Sequence, residues 1–220
     1  MITNWLIEND PSLEVHLEAE FSADTKGYTA FNDAGIECET GEFLYSLIRL
    51  TKPERVLETG THQGIGASYM GKALKDNGFG VLDTYEFLQP HFEVADKRIR
   101  DLELEGYVRV HLQDVGLLQT FEPNLDLILL DTEPQTRFAE LVKFEKFLNP
   151  GGFIFIHDLH RGMSQGNINP DWPNIKSWPF GDIPSIIKEW VKKDKLRPFH
   201  FSTPRGLTGF YKVHEGDFKW

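Results

Sequence analysis

The chain has 220 residues, of which 40% are hydrophobic and 26% charged. That mix excludes a disordered or fibrous chain, and the length suits one α/β domain spanning residues 1–220, with no Ser/Gly/Pro-rich linker to divide it. A formal net charge of -11, unrelieved by any basic cluster larger than Lys192-Lys193-Asp194-Lys195, excludes nucleic acid as a partner, because phosphates would be repelled over most of the surface.

No apolar run approaches the roughly 18 residues that cross a bilayer. Met1 to Asp10 lacks the basic start and long apolar stretch of a signal peptide, so a cytoplasmic chain without a membrane partner is expected. A single cysteine, Cys38, cannot form an internal disulfide and lies in no zinc-like Cys/His spacing, which fits a reducing compartment.

In chain order, residues 1–35 read as a loose helical or irregular arm, able either to close over a pocket or to swap onto a second copy in a homo-oligomer. A helix follows over Gly41 to Leu50. Arg55–Glu58, Val81–Glu86, Val108–Leu112, Leu125–Leu130 and Phe153–His157 are short apolar runs, the pattern of strands covered on both faces. Between them, Phe92, Ala95, Ile99 and Leu102 form one helical stripe after Pro90. Phe138, Leu141, Val142 and Phe147 form another after Pro134, with stops at Gly106 and Asn149-Pro150-Gly151. Strands alternating with helices predict right-handed crossovers and a parallel, doubly wound sheet with helices on both faces. A helix over Ile183–Lys193 then leads to a hairpin of Pro198–Thr203 and Gly209–Val213, so the last strands pair antiparallel. Residues 161–182, with Trp172, Trp178 and Phe180, read as an ordered loop able to act as a substrate lid.

The most informative stretch is Val56-Leu57-Glu58-Thr59-Gly60-Thr61-His62-Gln63-Gly64-Ile65-Gly66, a buried strand entering a helix through a glycine turn. Glycines let a ligand approach bare backbone and let the turn take positive φ. Their spacing is G-x-x-x-G-x-G rather than the dinucleotide fingerprint, and a carboxylate, Glu58, stands at the mouth. A pyrophosphate would be repelled there, whereas the cationic amino group of a methionine moiety would be attracted. This argues against a nicotinamide-dependent oxidoreductase. Glu86 ends the second strand, where an acid can accept both hydroxyls of a ribose, and Asp114 follows the third, where it can receive an adenine amino group.

With these acids and the turn in place, the sequence resembles the class I S-adenosylmethionine-dependent methyltransferases. The run Glu39-Thr40-Gly41-Glu42-Phe43-Leu44, then Pro53 and Val56 to Gly66, is similar to the small-molecule O-methyltransferases of the catechol, caffeoyl-CoA and macrocin types, over about residues 36–160. The resemblance implies a Rossmann-like seven-stranded sheet of order 3-2-1-4-5-7-6 with strand 7 antiparallel. It implies S-adenosylmethionine as cofactor and a small-molecule methyl acceptor, with Glu58, Gly60, Thr61, Gly64, Gly66, Glu86, Asp114 and Asp131 as cofactor-site positions.

Methyl transfer is a displacement at carbon, so the protein must align the acceptor and remove or screen its proton. Strand 4 ends in Asp131-Thr132-Glu133 and strand 5 in His157-Asp158-Leu159-His160. In the resembling metal-dependent O-methyltransferases, acids at these ends hold a divalent cation. Asp131 and Asp158 match two ligand positions, whereas the third is Leu159, which cannot ligate. Glu133, His157 or His160 would complete the set, for magnesium or manganese with oxygen ligands, and for zinc or iron as well with a histidine. The family's usual base after strand 4 is replaced by Pro134 and Gln135. His160 is the substitute expected, since an imidazole titrates near neutral pH. The expected function is O-methylation of a small molecule with Asp131, Asp158 and His160 as catalytic residues. The alternatives are a non-catalytic cofactor-binding module and a related scaffold acting at nitrogen or carbon.

Overall fold

The computed structural model of the chain describes residues 1–17, 27–32, 35–118, 124–133, 135–159, 184–201 and 203–217. They fall into two compact units, Met1–Leu118 and Gln119–Trp220.

The first unit opens with helix α1 (Ile2–Asn9), the two-residue ribbon β1 (His16–Leu17) and β2 (Thr29–Ala30), and helix α2 (Cys38–Thr51). Far from loose, α1 is anchored. Leu6 is fully buried, and the Thr3 hydroxyl lies 2.8 Å from both Glu42 Oε1 and the Tyr69 hydroxyl. β3 (Arg55–Thr59), α3 (Ile65–Asn77), β4 (Val81–Glu86), α4 (Gln89–Asp101) and β5 (Val108–Leu112) then alternate as the sequence predicts. β3 pairs parallel with β4, and β4 with β5. Glycine bounds α3 at both ends, Gly64 at φ +81° and Gly78 at φ +79°, and the helix buries Ile65, Tyr69, Met70 and Leu74 among other residues. Helix α4 ends at Asp101, ahead of Gly106, because the chain turns at Leu102 and Glu103.

Burial departs from the expected apolar runs in two strands. β4 alternates, with Leu82, Thr84 and Glu86 buried and Val81, Asp83 and Tyr85 only half-buried. β5 buries Val108 alone among its five residues, as an edge strand does.

The second unit holds β6 (Leu125–Leu130), α5 (Arg137–Phe144), β7 (Leu148–Ile156), α6 (Ser185–Lys192), β8 (Leu196–Phe201) and β9 (Leu207–Lys212). β6 and β7 run parallel, whereas β9 pairs antiparallel with both β7 and β8. Asn149-Pro150-Gly151, expected to stop a helix, lies instead inside β7. The register shifts between Leu125 and Leu127, and Gly151 takes φ +89°, so the proline sits at an irregularity where its missing N–H is tolerated.

The strand order is β5-β4-β3-β6-β7-β9-β8. Counted from Arg55, that is 3-2-1-4-5-7-6 with the last strand antiparallel, the Rossmann-like arrangement the resemblance implies, with helices flanking the sheet.

Candidate functional site

In the first unit, β3 delivers Glu58 and Thr59 into a turn where Gly60 and Gly64 (each φ +81°) and His62 (φ +47°) all take left-handed backbone. The amides of Gly60 and Thr61 donate to the Tyr85 carbonyl on β4 at 3.0 and 3.1 Å, which ties the turn to the neighbouring strand. A β-carbon on Gly64 would stand 3.2 Å from Ala95 Cα, so α4 packs against bare backbone.

Glu58 is 2% exposed. Its Oε2 accepts the Thr84 hydroxyl at 2.6 Å. Since Thr84 spends its one hydroxyl proton there, Thr61 is the donor in the 2.5 Å Thr61–Thr84 pair. The result is a relay from Thr61 through Thr84 to Glu58. The turn is braced from behind by Arg98, a buried residue of α4. Its Nη1 donates to the Gln63 carbonyl, and its Nε pairs with Asp10 at 2.7 Å.

One strand over, Glu86 is 5% exposed at the tip of β4. Oε1 accepts the amides of Phe87 and Leu88, each at 2.9 Å, and Oε2 accepts the amide of His62 at 2.8 Å. Three of the carboxylate's roughly four lone-pair sites are thus engaged. Asp114 is exposed, and its Oδ1 accepts the Gly116 amide at 2.7 Å, capping a short 3-10 turn over Val115–Leu117.

In the second unit, the ends of β6 and β7 bring Asp131, His157 and Asp158 together, with their ligand atoms within 4.8 Å of one another. His157 is 1% exposed, and its Nδ1 lies 3.1 Å from Asp131 Oδ1 and 3.3 Å from Asp158 Oδ1. Asp158 takes left-handed backbone, φ +57°, which aspartate tolerates better than most residues. Its neighbour Leu159 donates its amide to the Gly206 carbonyl at 3.0 Å. Burial works to raise the Asp158 pKa, but the charges of His157, Arg137 and Arg205 outweigh it and hold the carboxyl below its ordinary value. Arg137, at the start of α5, pairs with Asp158 Oδ2 at 3.0 Å and with Asp131 Oδ1 at 3.2 Å. Arg205 Nη1 lies 3.9 Å from Asp158 Oδ1.

Residues 57–159 match the family model described as a methyltransferase domain. An inferred O-methyltransferase of Mycobacterium sp. (strain JLS) is 27% identical over 132 residues, covering 58% of each chain, so this chain spans under three fifths of that relative's length. Among solved structures, the O-methyltransferase TomG from Streptomyces achromogenes, involved in tomaymycin synthesis and determined with S-adenosylmethionine, is 18% identical. It superposes with a TM-score of 0.66 over 84% of both chains. The O-methyltransferase from Bacillus cereus, determined with S-adenosylhomocysteine (SAH), is 20% identical with a TM-score of 0.65, over 82% of this chain and 84% of that one. By sequence and by fold, this chain resembles the class I S-adenosylmethionine-dependent methyltransferases.

Among the described residues, a divalent ion like that of the metal-dependent O-methyltransferases would take its ligands from Asp131, His157 and Asp158. Their present bonding does not suit it. A carboxylate oxygen only accepts, so the His157–Asp131 hydrogen bond puts a proton on Nδ1, where a metal needs a lone pair. The acids in turn are already paired with a guanidinium.

Of the positions expected in a methyltransferase, the first unit brings together Glu58, Gly60, Thr61, Gly64, Gly66 and Glu86. A β-carbon on Gly66 would collide with Glu58 Oε1, and Glu86 holds the His62 amide of the same turn. The second unit joins Asp131 to His157 and Asp158, whereas Glu133, an exposed residue, stays outside the cluster. His160 and the 161–182 loop lie outside the described residues. Sequence reasoning missed Thr84, Arg98, Arg137 and Arg205, none of which belongs to a local motif. One signal was present for Arg137: a cation in the first turn of a helix opposes the macrodipole, so it needs a partner elsewhere.

Proposed function

We propose that this chain is an S-adenosylmethionine-dependent O-methyltransferase acting on a small molecule, with residues 1–220 working as one catalytic domain. The observation that carries this reading is the pair of buried carboxylates, Glu58 and Glu86, on adjacent parallel strands around a left-handed glycine turn. A sulfonium amino acid presents an ammonium and a ribose. Glu58 attracts the first. Glu86, with about one lone-pair site unengaged, accepts one ribose hydroxyl rather than two. Phe87 (60% exposed) and Leu88, directly after Glu86, offer an apolar flank to a purine.

In the transfer step the acceptor oxygen forms a bond to the methyl carbon as the carbon–sulfur bond breaks. The sulfur leaves as a neutral thioether, and the acceptor gives up its proton. The protein's part is alignment and proton removal, and His160 is the base proposed from the sequence. The -11 net charge supports a small acceptor over a nucleic acid.

Calorimetric titration with SAH and with NAD tests the cofactor assignment. The wild type binds SAH and not NAD, and Glu86→Ala weakens SAH by at least roughly tenfold, as loss of a hydrogen bond to a charged group entails. Methyl-labelled cofactor with panels of phenols, sugars and amines then tests the transfer. A chain that does not retain SAH is no methyltransferase, and one that retains it but labels only amines is not an O-methyltransferase.

A further inference from the structure

The second unit holds a cation of its own where the resembling metal-dependent enzymes hold a divalent ion. A guanidinium carries five N–H bonds in a planar fork, and Arg137 donates four hydrogen bonds to oxygens and forms an ion pair with a further one. Nε donates to the Thr132 carbonyl at 2.7 Å, and Nη1 donates to the His157 carbonyl and to Asp158 Oδ2 at 3.1 Å. Nη2 donates to Asp158 Oδ2 at 3.0 Å and pairs with Asp131 Oδ1 at 3.2 Å. The side chain is 4% exposed. A long arginine parked on a surface does not engage both sides of its fork in this way. Here one group reads the carbonyls beside both strand ends and both acids that follow them.

The charge balance agrees. Asp131 and Asp158 contribute two negative charges. Arg137 and the buried Arg205, 3.9 Å from Asp158 Oδ1, contribute two positive ones, and the charge of His157 adds to them. A divalent cation added to this arrangement would meet two buried guanidiniums as well as two carboxylates, and although Asp158 Oδ1 accepts no hydrogen bond from the described residues, Arg137 already holds Asp158 Oδ2 and Asp131 Oδ1. Repulsion between close charges is least screened where the groups are buried.

We infer that Arg137 is the resident cation of the Asp131–His157–Asp158 cluster. It stands in for the divalent ion, orients the two acids and the imidazole between them, and excludes metal from the site. The inference rests on the methyltransferase reading for its meaning. Its test does not depend on transfer, so either can fail without the other.

The test is Mn2+ binding to the full-length protein, with and without SAH, followed by the loss of the free-ion electron paramagnetic resonance signal. Wild type leaves the Mn2+ signal unchanged, with EDTA-treated and Mn2+-supplemented protein behaving alike. Arg137→Leu uncovers two acids and takes up Mn2+ at least roughly tenfold more tightly than the wild type, and adding Asp158→Asn abolishes the gain. If Arg137→Leu does not fold, Arg137→Gln, which keeps a donor for the Thr132 carbonyl, takes its place. The inference is overturned if wild type immobilises Mn2+ and Asp158→Asn releases it. It is overturned equally if a folded Arg137 variant binds no more Mn2+ than the wild type.

Discussion

Gly66 and Glu58 occupy each other's space: a β-carbon on Gly66, the second residue of α3, would fall inside van der Waals contact of Glu58 Oε1. The helix start therefore sets where the buried carboxylate points. Gly66→Ala has two opposed effects. Alanine stabilises a helix by about 1 kcal/mol over glycine, while the displaced carboxylate loses its hydrogen bond from Thr84. Hydrogen bonds to charged groups are worth about 1.5–3 kcal/mol. The net effect on stability is a loss of about 0.5–2 kcal/mol, while SAH affinity should fall by roughly ten- to a hundredfold because the carboxylate no longer points at the ammonium. Calorimetry beside a melting curve checks both, and unchanged affinity would remove Glu58 from the cofactor site.

Glu86 is expected to act on the turn as well as on a ligand. Its carboxylate joins the Phe87 and Leu88 amides after β4 to the His62 amide in the glycine turn. Glu86→Gln keeps the shape but replaces one accepting oxygen by a donor, so at least one amide loses its partner at a cost of about 1–3 kcal/mol. Urea denaturation of the SAH-free protein should show that loss. Amide exchange at His62, or at Phe87 and Leu88, should quicken while exchange in β6 does not.

The limits of β4, β5 and β6 were legible because each is a short stretch rich in strand-forming residues between helical patterns, although β4 and β5 do not bury it as continuous apolar runs. The glycine turn was legible because left-handed backbone selects residue type locally, as at Gly60 and Gly64. β7 was misread at its start. Asn149-Pro150-Gly151 is ordinary stop chemistry, and only pairing with β6, a non-local fact, makes it an irregularity inside a strand. The same limit hid the arginines. Arg98 meets Asp10 across 88 residues of chain, and Arg137 meets Asp158 across 21. No periodicity records such pairs. Asp131 and Asp158 were recognised as a pair of acids, but their counter-charge lay in a helix read only for its apolar stripe.

Arg98 couples the N-terminal segment to the turn. Its Nε pairs with Asp10 while its Nη1 holds the Gln63 carbonyl. Asp10→Asn should therefore weaken SAH binding although Asp10 precedes the glycine turn by some fifty residues. The expected size is about 1.5–2 kcal/mol, the lower part of the range for charged hydrogen bonds. In a double-mutant cycle on SAH affinity, Asp10→Asn and Arg98→Met should be non-additive, because they sever one chain of contacts. Additive losses would mean that the segment anchors the fold without reaching the cofactor.

Acid should dismantle the second unit's cluster through Asp158. Burial raises this carboxyl's pKa, but His157, Arg137 and Arg205 more than offset that, so its folded value lies below the ordinary 3.8. A depressed folded pKa gives stability that is complete above the unfolded value and is lost as pH falls through the folded one. The cluster should therefore hold at neutral pH and weaken only below about pH 4. Asp158→Asn removes the charge at every pH and leaves Arg137 with Asp131 as its sole charged partner. Breaking a buried pair on one side typically costs about 3–5 kcal/mol. Urea denaturation should show that loss at about pH 7, and the gap between variant and wild type should narrow as pH falls below about 4, where the carboxyl of the unfolded chain takes up a proton before that of the folded one. A gap that stays constant over this range would mean that Asp158 holds its site by shape and not by charge, and the resident-cation reading of Arg137 would lose its electrostatic basis.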